Sequence, residues 1–148
     1  MRIKLRLNRA LQESVKNELI ERGIEISEDA GLILTEEGYN SGKISCKDKD
    51  GIVIVEMSEI YYVESMGHDV FVHTKENTYK TDLRLYRIEQ ELPENKFLRI
   101  SNSVIIKSDV IKKIRPGLSS KFYLTLKNGD NVDVTRTYYY KFKEFYGI

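Results

Sequence analysis

The side chains able to do chemistry in this sequence are few, and their types point away from catalysis. The chain has two histidines, His68 and His73, and one cysteine, Cys46. One thiol excludes an internal disulfide, and two imidazoles with one thiol leave a zinc site short of soft ligands, so neither a metal nor another cofactor is expected. His68 and His73 stand five positions apart, which on one continuous strand would turn them to opposite faces. No nucleophile with a base, paired carboxylates or phosphate-cradling glycine loop is visible, so no catalytic residue is assigned and an enzyme is not expected. What the residues can do is carry charge. From Lys96 onward eleven Lys and Arg face four Asp and Glu, a net +7, whereas the whole chain carries +1 and the remainder therefore −6. A segment that basic attracts phosphates and releases counterions on binding them. Taken alone, such a segment is more often merely solvated surface.

The elements that must position these groups begin with the chain's size. Its 148 residues, 41% hydrophobic and 32% charged, suit one globular domain or one domain with a small appendage. No apolar run approaches the roughly 20 residues that span a bilayer, and Met1 leads into a charged alternating segment in place of a signal sequence. A soluble cytoplasmic protein is expected. Ile3, Leu5 and Leu7 alternate with Arg2, Lys4 and Arg6 as in a half-buried strand. Asn8 can cap a helix whose stripe runs Leu11, Val15, Glu18, Leu19 and Arg22, with Gly23 as its stop. Ile24 and Ile26, then Leu32, Ile33 and Leu34, complete a small β-α-β-β unit over residues 1 to about 36. Glu36 to Gly42 has the polar, glycine-containing character of a linker, so residues 1–42 are assigned as an appendage with its linker and 43–148 as the main domain.

The second part reads as mostly β. Strands are expected at 43–47, 51–56, 60–64, 69–74, 78–81, 97–100, 103–106, 111–115, 121–126 and 131–134. One helix interrupts them at 82–92, where Leu85, Ile88 and Leu92 share a face and Pro93 ends the element. Asn128-Gly129 predicts a two-residue hairpin, and Thr137 can cap a last helix through Tyr146 before Gly147.

The succession Ile60-Tyr-Tyr-Val-Glu-Ser65, Val70-Phe-Val-His-Thr74, Tyr79, Phe97-Leu-Arg-Ile-Ser-Asn-Ser-Val-Ile-Ile-Lys107, Ile111-Lys-Lys-Ile114, Lys127-Asn-Gly-Asp130 and Val134-Thr-Arg-Thr-Tyr-Tyr-Tyr140 resembles the LytTR DNA-binding domain family of bacterial transcriptional regulators. Several spaced motifs over residues 43–148 carry the resemblance. It implies a mainly β fold, α+β overall, in an elongated arrangement of small antiparallel sheets with one or two short helices. It also implies binding of double-stranded DNA at repeated half-sites, as a homodimer, by loops that enter major grooves.

Carried over position by position, the resemblance places His68 in a base-reading loop as a polar or basic group aimed at DNA. Asn102, in Ile100-Ser-Asn-Ser103 beside Ser101, can offer adenine its paired donor and acceptor, and the Arg136 guanidinium can reach both guanine acceptors. Arg99 is expected to steady the loop or touch phosphate. Lys112, Lys113, Arg115 and Lys121 flank the Pro116-Gly-Leu-Ser-Ser120 turn as candidate phosphate contacts. Without the family, a His in a glycine turn, an Asn before a strand and an Arg before a helix have ordinary surface and turn roles. Lys107 departs from the pattern, because many relatives have Asn there; it is expected to supply a phosphate contact or to alter the turn. Many relatives also carry a receiver domain of about one hundred residues. About forty residues precede the match here, so receiver phosphorylation is not expected. The rival reading is a β-rich protein-interaction module, for which ten tyrosines, Tyr138-Tyr-Tyr140 among them, are suitable material.

Overall fold

The computed structural model describes residues 1–36 and 42–148, divided between two compact units, Met1–Gly42 and Lys43–Ile148. The expected linker falls largely on residues 37–41, outside the described residues.

The first unit contains strand β1 (Arg2–Arg6), helix α1 (Arg9–Glu21) and strands β2 (Glu25–Ile26) and β3 (Leu32–Thr35). β1 is the central strand, in the order β2-β1-β3, and both pairings are parallel. Its alternation buries Ile3 and Leu5, which with Leu7 pack against Val15, Leu19, Ile24 and Ile26. Asn8 caps α1 by accepting the Leu11 N–H at 3.1 Å, and the chain leaves the helix through Gly23 at φ +78°, a conformation glycine adopts without steric cost. The stripe on α1 is shallower than its periodicity suggests, for no helix residue is buried. Leu32, Ile33 and Leu34 are all exposed on the outer strand. One helix and three short strands are too few to enclose an apolar interior.

The second unit is mainly β. Strands β4 (Lys43–Asp48), β5 (Gly51–Glu56), β6 (Tyr62–Met66), β7 (Asp69–His73), β8 (Thr78–Thr81), β9 (Phe97–Arg99) and β10 (Val104–Lys107) form one sheet in the order β5-β4-β8-β7-β6-β10-β9. Strands β11 (Ile111–Gly117), β12 (Lys121–Leu126) and β13 (Asn131–Val134) form the other. Every pairing in both sheets is antiparallel. Helix α2 (Leu85–Glu91) buries Leu85 and Ile88, and helix α3 (Tyr139–Tyr146) buries Phe142.

Two apolar cores meet across β6, β9 and β10. Val63, Phe97 and Ile105 join Ile44, Val55, Ile60, Val72 and Ile88 in one core. Their sequence neighbours Tyr62, Leu98 and Ile106 join Phe122, Leu124, Val134 and Phe142 in the other. Successive strand residues face opposite ways, and here both are buried, so these strands are covered on both faces.

Three expectations are corrected. The Asn128-Gly129 hairpin has a three-residue loop, because the Leu126 carbonyl accepts the Gly129 N–H at 2.9 Å and the Asp130 carbonyl accepts the Leu126 N–H at 2.8 Å. Asn128 Oδ1 accepts the Asp130 N–H at 3.0 Å, and the left-handed residue is Gly129 alone, at φ +92°; the two-residue turn would need a positive φ at Asn128 as well. Thr137 caps nothing. Arg136–Tyr138 is a 3-10 turn and α3 starts after it, at Tyr139, without a side-chain cap. The Thr135 carbonyl accepts the Tyr138 N–H at 3.0 Å, so the chain winds tightly before it relaxes to an α-helix. β6 begins at Tyr62 and not at Ile60, which closes the 3-10 turn Met57–Glu59 and is fully buried. His68 lies in the turn after β6, in the loop where the family resemblance puts it, and His73 ends β7.

Candidate nucleic-acid interface

Three connections carry the residues of interest, two between strands and one from a strand to a helix. The first is Gly67-His68, which joins β6 to β7 with Met66 paired to Asp69. Gly67, at φ +63°, takes the left-handed first position of a two-residue turn. That leaves the His68 imidazole exposed at the tip, with no side-chain partner among the described residues.

The second is Ser101-Asn102-Ser103, between β9 and β10. Arg99 sets its shape from beneath. Its Nε donates to the Ser101 carbonyl at 2.6 Å and its Nη2 to the Asn102 carbonyl, while Nη1 pairs with Glu89 at 2.7 Å. The Ser101 hydroxyl is turned inward, accepting the Ser103 N–H at 3.2 Å, and the residue is 7% exposed. Ser101 and Arg99 therefore build the loop, and Asn102 projects from it, exposed.

The third connection leads from β13 to α3 and carries Arg136 just after Thr135, exposed and with no side-chain partner among the described residues. It is fastened to the second. The Thr135 N–H donates to the Ile100 carbonyl at 2.9 Å, and the Tyr138 hydroxyl donates to Asn102 Oδ1 at 3.4 Å. The Ser65 N–H donates in turn to the Ser103 carbonyl at 2.8 Å, which joins the Asn102 loop to β6 and so to the strand that leads into the His68 turn. His68, Arg99 and Asn102 line one open cleft of about 800 Å³. Tyr138 has no distinguishing sequence signal: in a run of three tyrosines it reads as one more residue shared between core and solvent. Tyr139 does pack inward, stacked on Phe122 at 4.7 Å, while Tyr140 is 72% exposed.

The basic turn has its own geometry. Lys113 pairs with Thr125, Arg115 with Tyr123 and Gly117 with Lys121, so these residues share the outer face of the three-stranded sheet, opposite the Ile114–Leu124 pair. The register shifts between Ile111 and Lys113, leaving Lys112 as the additional residue of a bulge. Lys112, Lys113 and Arg115 are exposed and Lys121 half-buried. A Cβ at Gly117 would come within 2.6 Å of the Tyr123 ring, so a larger residue there would have to push that exposed ring aside. Lys107 is not brought into this group. Its ammonium donates to the Ser58 carbonyl at 2.8 Å and lies 3.7 Å from Asp109.

Beneath these loops the polar groups are structural. His73 stacks on Tyr62 at 4.1 Å, with its ring nitrogens 2.7 Å from Glu64 and 2.9 Å from Thr78. The Tyr62 hydroxyl donates to Asp130 at 3.0 Å, and burial, reinforced by that carboxylate, pushes its pKa well above the usual tyrosine value. Burial also pushes the Cys46 thiol up to about 11. Among the described residues no group of three or more His, Cys, Asp or Glu could hold a metal ion, and no helix is long and apolar enough to cross a membrane.

Polar and cationic side chains presented by loops between strands, over a buried polar scaffold, are the build of a β domain that grips nucleic acid. The family model of the LytTr DNA-binding domain matches residues 50–147, and the chain belongs to that family. It is 30% identical over 119 residues to the sensory transduction protein LytT of Bacillus subtilis, covering 79% of this chain and 49% of that protein. To the transcriptional regulatory protein YpdB of Escherichia coli it is 30% identical over 95 residues, covering 64% of this chain and 38% of the other. The chain thus spans half the length or less of these curated relatives. A solved LytTr DNA-binding domain from Bacillus cereus superposes with a TM-score of 0.70 at 29% identity, covering 74% of this chain and all of that one.

Proposed function

We propose that the chain is a cytoplasmic regulator of transcription that reads duplex DNA in a sequence-specific way. His68, Asn102 and Arg136 reach base edges in the major groove, and Lys112, Lys113, Arg115 and Lys121 hold phosphates. The observation that carries this reading is the hydrogen-bonded connection of the Asn102 loop to β6 on one side and to the Arg136 segment on the other. Through it, exposed donors stand on one rigid support, and rigid placement is what base readout needs. Ser101 and Arg99 support the surface from within. Residues 1–36 supply a pairing surface, so that two copies occupy repeated half-sites; the exposed Leu32, Ile33 and Leu34 of the outer strand favour this.

Selection of bound duplexes from a random pool, followed by salt titration of the selected and random duplexes, tests the reading. A recurring motif and a linear loss of log affinity with log salt are expected. No enrichment, with binding indifferent to salt, would overturn it and leave the protein-interaction module.

A further inference from the structure

The cleft shared by His68 and Asn102 contains one arginine that no side chain among the described residues engages. Lys80 is paired with Asp69 at 2.9 Å and Arg99 with Glu89 at 2.7 Å, while the cleft's other carboxylate, Asp82, is taken by Lys47. Arg84 also lines the cleft and is exposed, with no ion pair or side-chain hydrogen bond among the described residues. Its position gives it no local purpose. Arg84 immediately precedes α2 and makes no capping bond, although short side-chain acceptors are the residues that stabilise such a position. A positive charge also lies at the unfavourable end of the helix dipole. Folding therefore does not account for an arginine here.

We infer that Arg84 holds a backbone phosphate of the DNA strand passing between the His68 and Asn102 loops, which makes it a positioning residue that sets register and reads no base. This rests on the DNA-binding reading above. The guanidinium suits the task because it stays charged and can fork around two phosphate oxygens. The neighbouring ion pairs matter as well, since they neutralise Asp69 and Asp82, which would otherwise repel the strand.

The test compares the full-length chain with its Arg84→Ala and Arg84→Lys variants, by fluorescence anisotropy on a selected and a random duplex across a salt series. Arg84→Ala should weaken both duplexes by the same factor, roughly three- to tenfold, and reduce the salt slope by about one, leaving the preference ratio unchanged. Arg84→Lys should restore the slope, and thermal melting should show both variants folded. A variant with wild-type slope and affinity overturns the assignment, as does a loss confined to the selected duplex, which would make Arg84 a base reader. If wild-type protein binds no duplex at all, the functional reading falls together with it; an unaffected variant of a wild type that does bind sinks this inference alone.

Discussion

Arg136 and Asn102 differ in how much freedom the fold leaves them. Arg136 has no side-chain partner among the described residues to give up on binding, whereas Asn102 Oδ1 already accepts from Tyr138 at 3.4 Å. A carbonyl oxygen has two lone pairs, so that bond orients the amide without using it up. Arg136→Ala and Asn102→Ala should each cost about 1 to 3 kcal/mol on the selected duplex and relax the preference at one base pair, while random duplexes change little. Competition assays with single-base variants of the duplex would measure this, and equal losses on all of them would show backbone contact instead. Cys46 makes a separate prediction. The thiol is fully buried and its pKa is raised from 9.0 to about 11 by burial. The unfolded chain therefore releases the proton first, so this group costs the fold nothing below pH 9 and destabilises it progressively as pH rises toward 11. The loss should approach about 1.4 kcal/mol per pH unit within that window. Denaturant unfolding at pH 8 and pH 10 should reveal it, and the slope should shrink in Cys46→Ala; an identical slope in the variant would mean that other groups carry the effect.

The basic turn shows how far alternation along a strand can be taken. Lys113, Arg115 and Lys121 reach one face because the register places Gly117 opposite Lys121 and Arg115 opposite Tyr123, while a bulge sets Lys112 out of sequence with them. Replacing Lys112, Lys113 or Lys121 with Ala should weaken every duplex alike and lower the salt slope by about one each, with sequence preference intact. Slopes unchanged in all three variants would remove this face from the interface. Most of these elements were legible beforehand because their signals are local: strand alternation, the Asn8 cap, and Pro93 after α2. What could not be read depends on contacts distant in sequence. Thr137 failed as a cap because Thr135 is tied to Ile100. Lys107 faces Ser58, forty-nine positions away, and Ser101 turns inward onto its own loop. Periodicity cannot report such partners. The positions of Asn102 and Arg136 were legible only through the family resemblance, and the tyrosine that joins their loops had no signal of its own.

At the scale of the whole molecule the first unit stands out, because a helix without a buried residue beside an exposed apolar strand makes little stability for itself. Such units gain by packing on another surface. If a second copy supplies it, sedimentation should show the full chain as a dimer at micromolar concentration. A fragment spanning residues 43–148 should sediment as a monomer that still contacts one half-site but loses the added affinity of two linked sites. A monomeric full chain, or a dimeric fragment, would assign the unit another task. The second unit should behave differently on its own account. β10, covered on both faces, feeds directly from the Asn102 loop, so neither core can open without uncovering the other. Amide hydrogens of Val63, Ile105 and Ile106 should then exchange with deuterated solvent only through global unfolding, and their protection should be alike. Unequal protection between Ile105 and Ile106 would show two separately melting halves. With a single cooperative block under the loops, any agent that loosens DNA recognition by loosening the fold must melt the entire unit, and bound duplex should slow exchange in the core strands as much as in the loops that touch it.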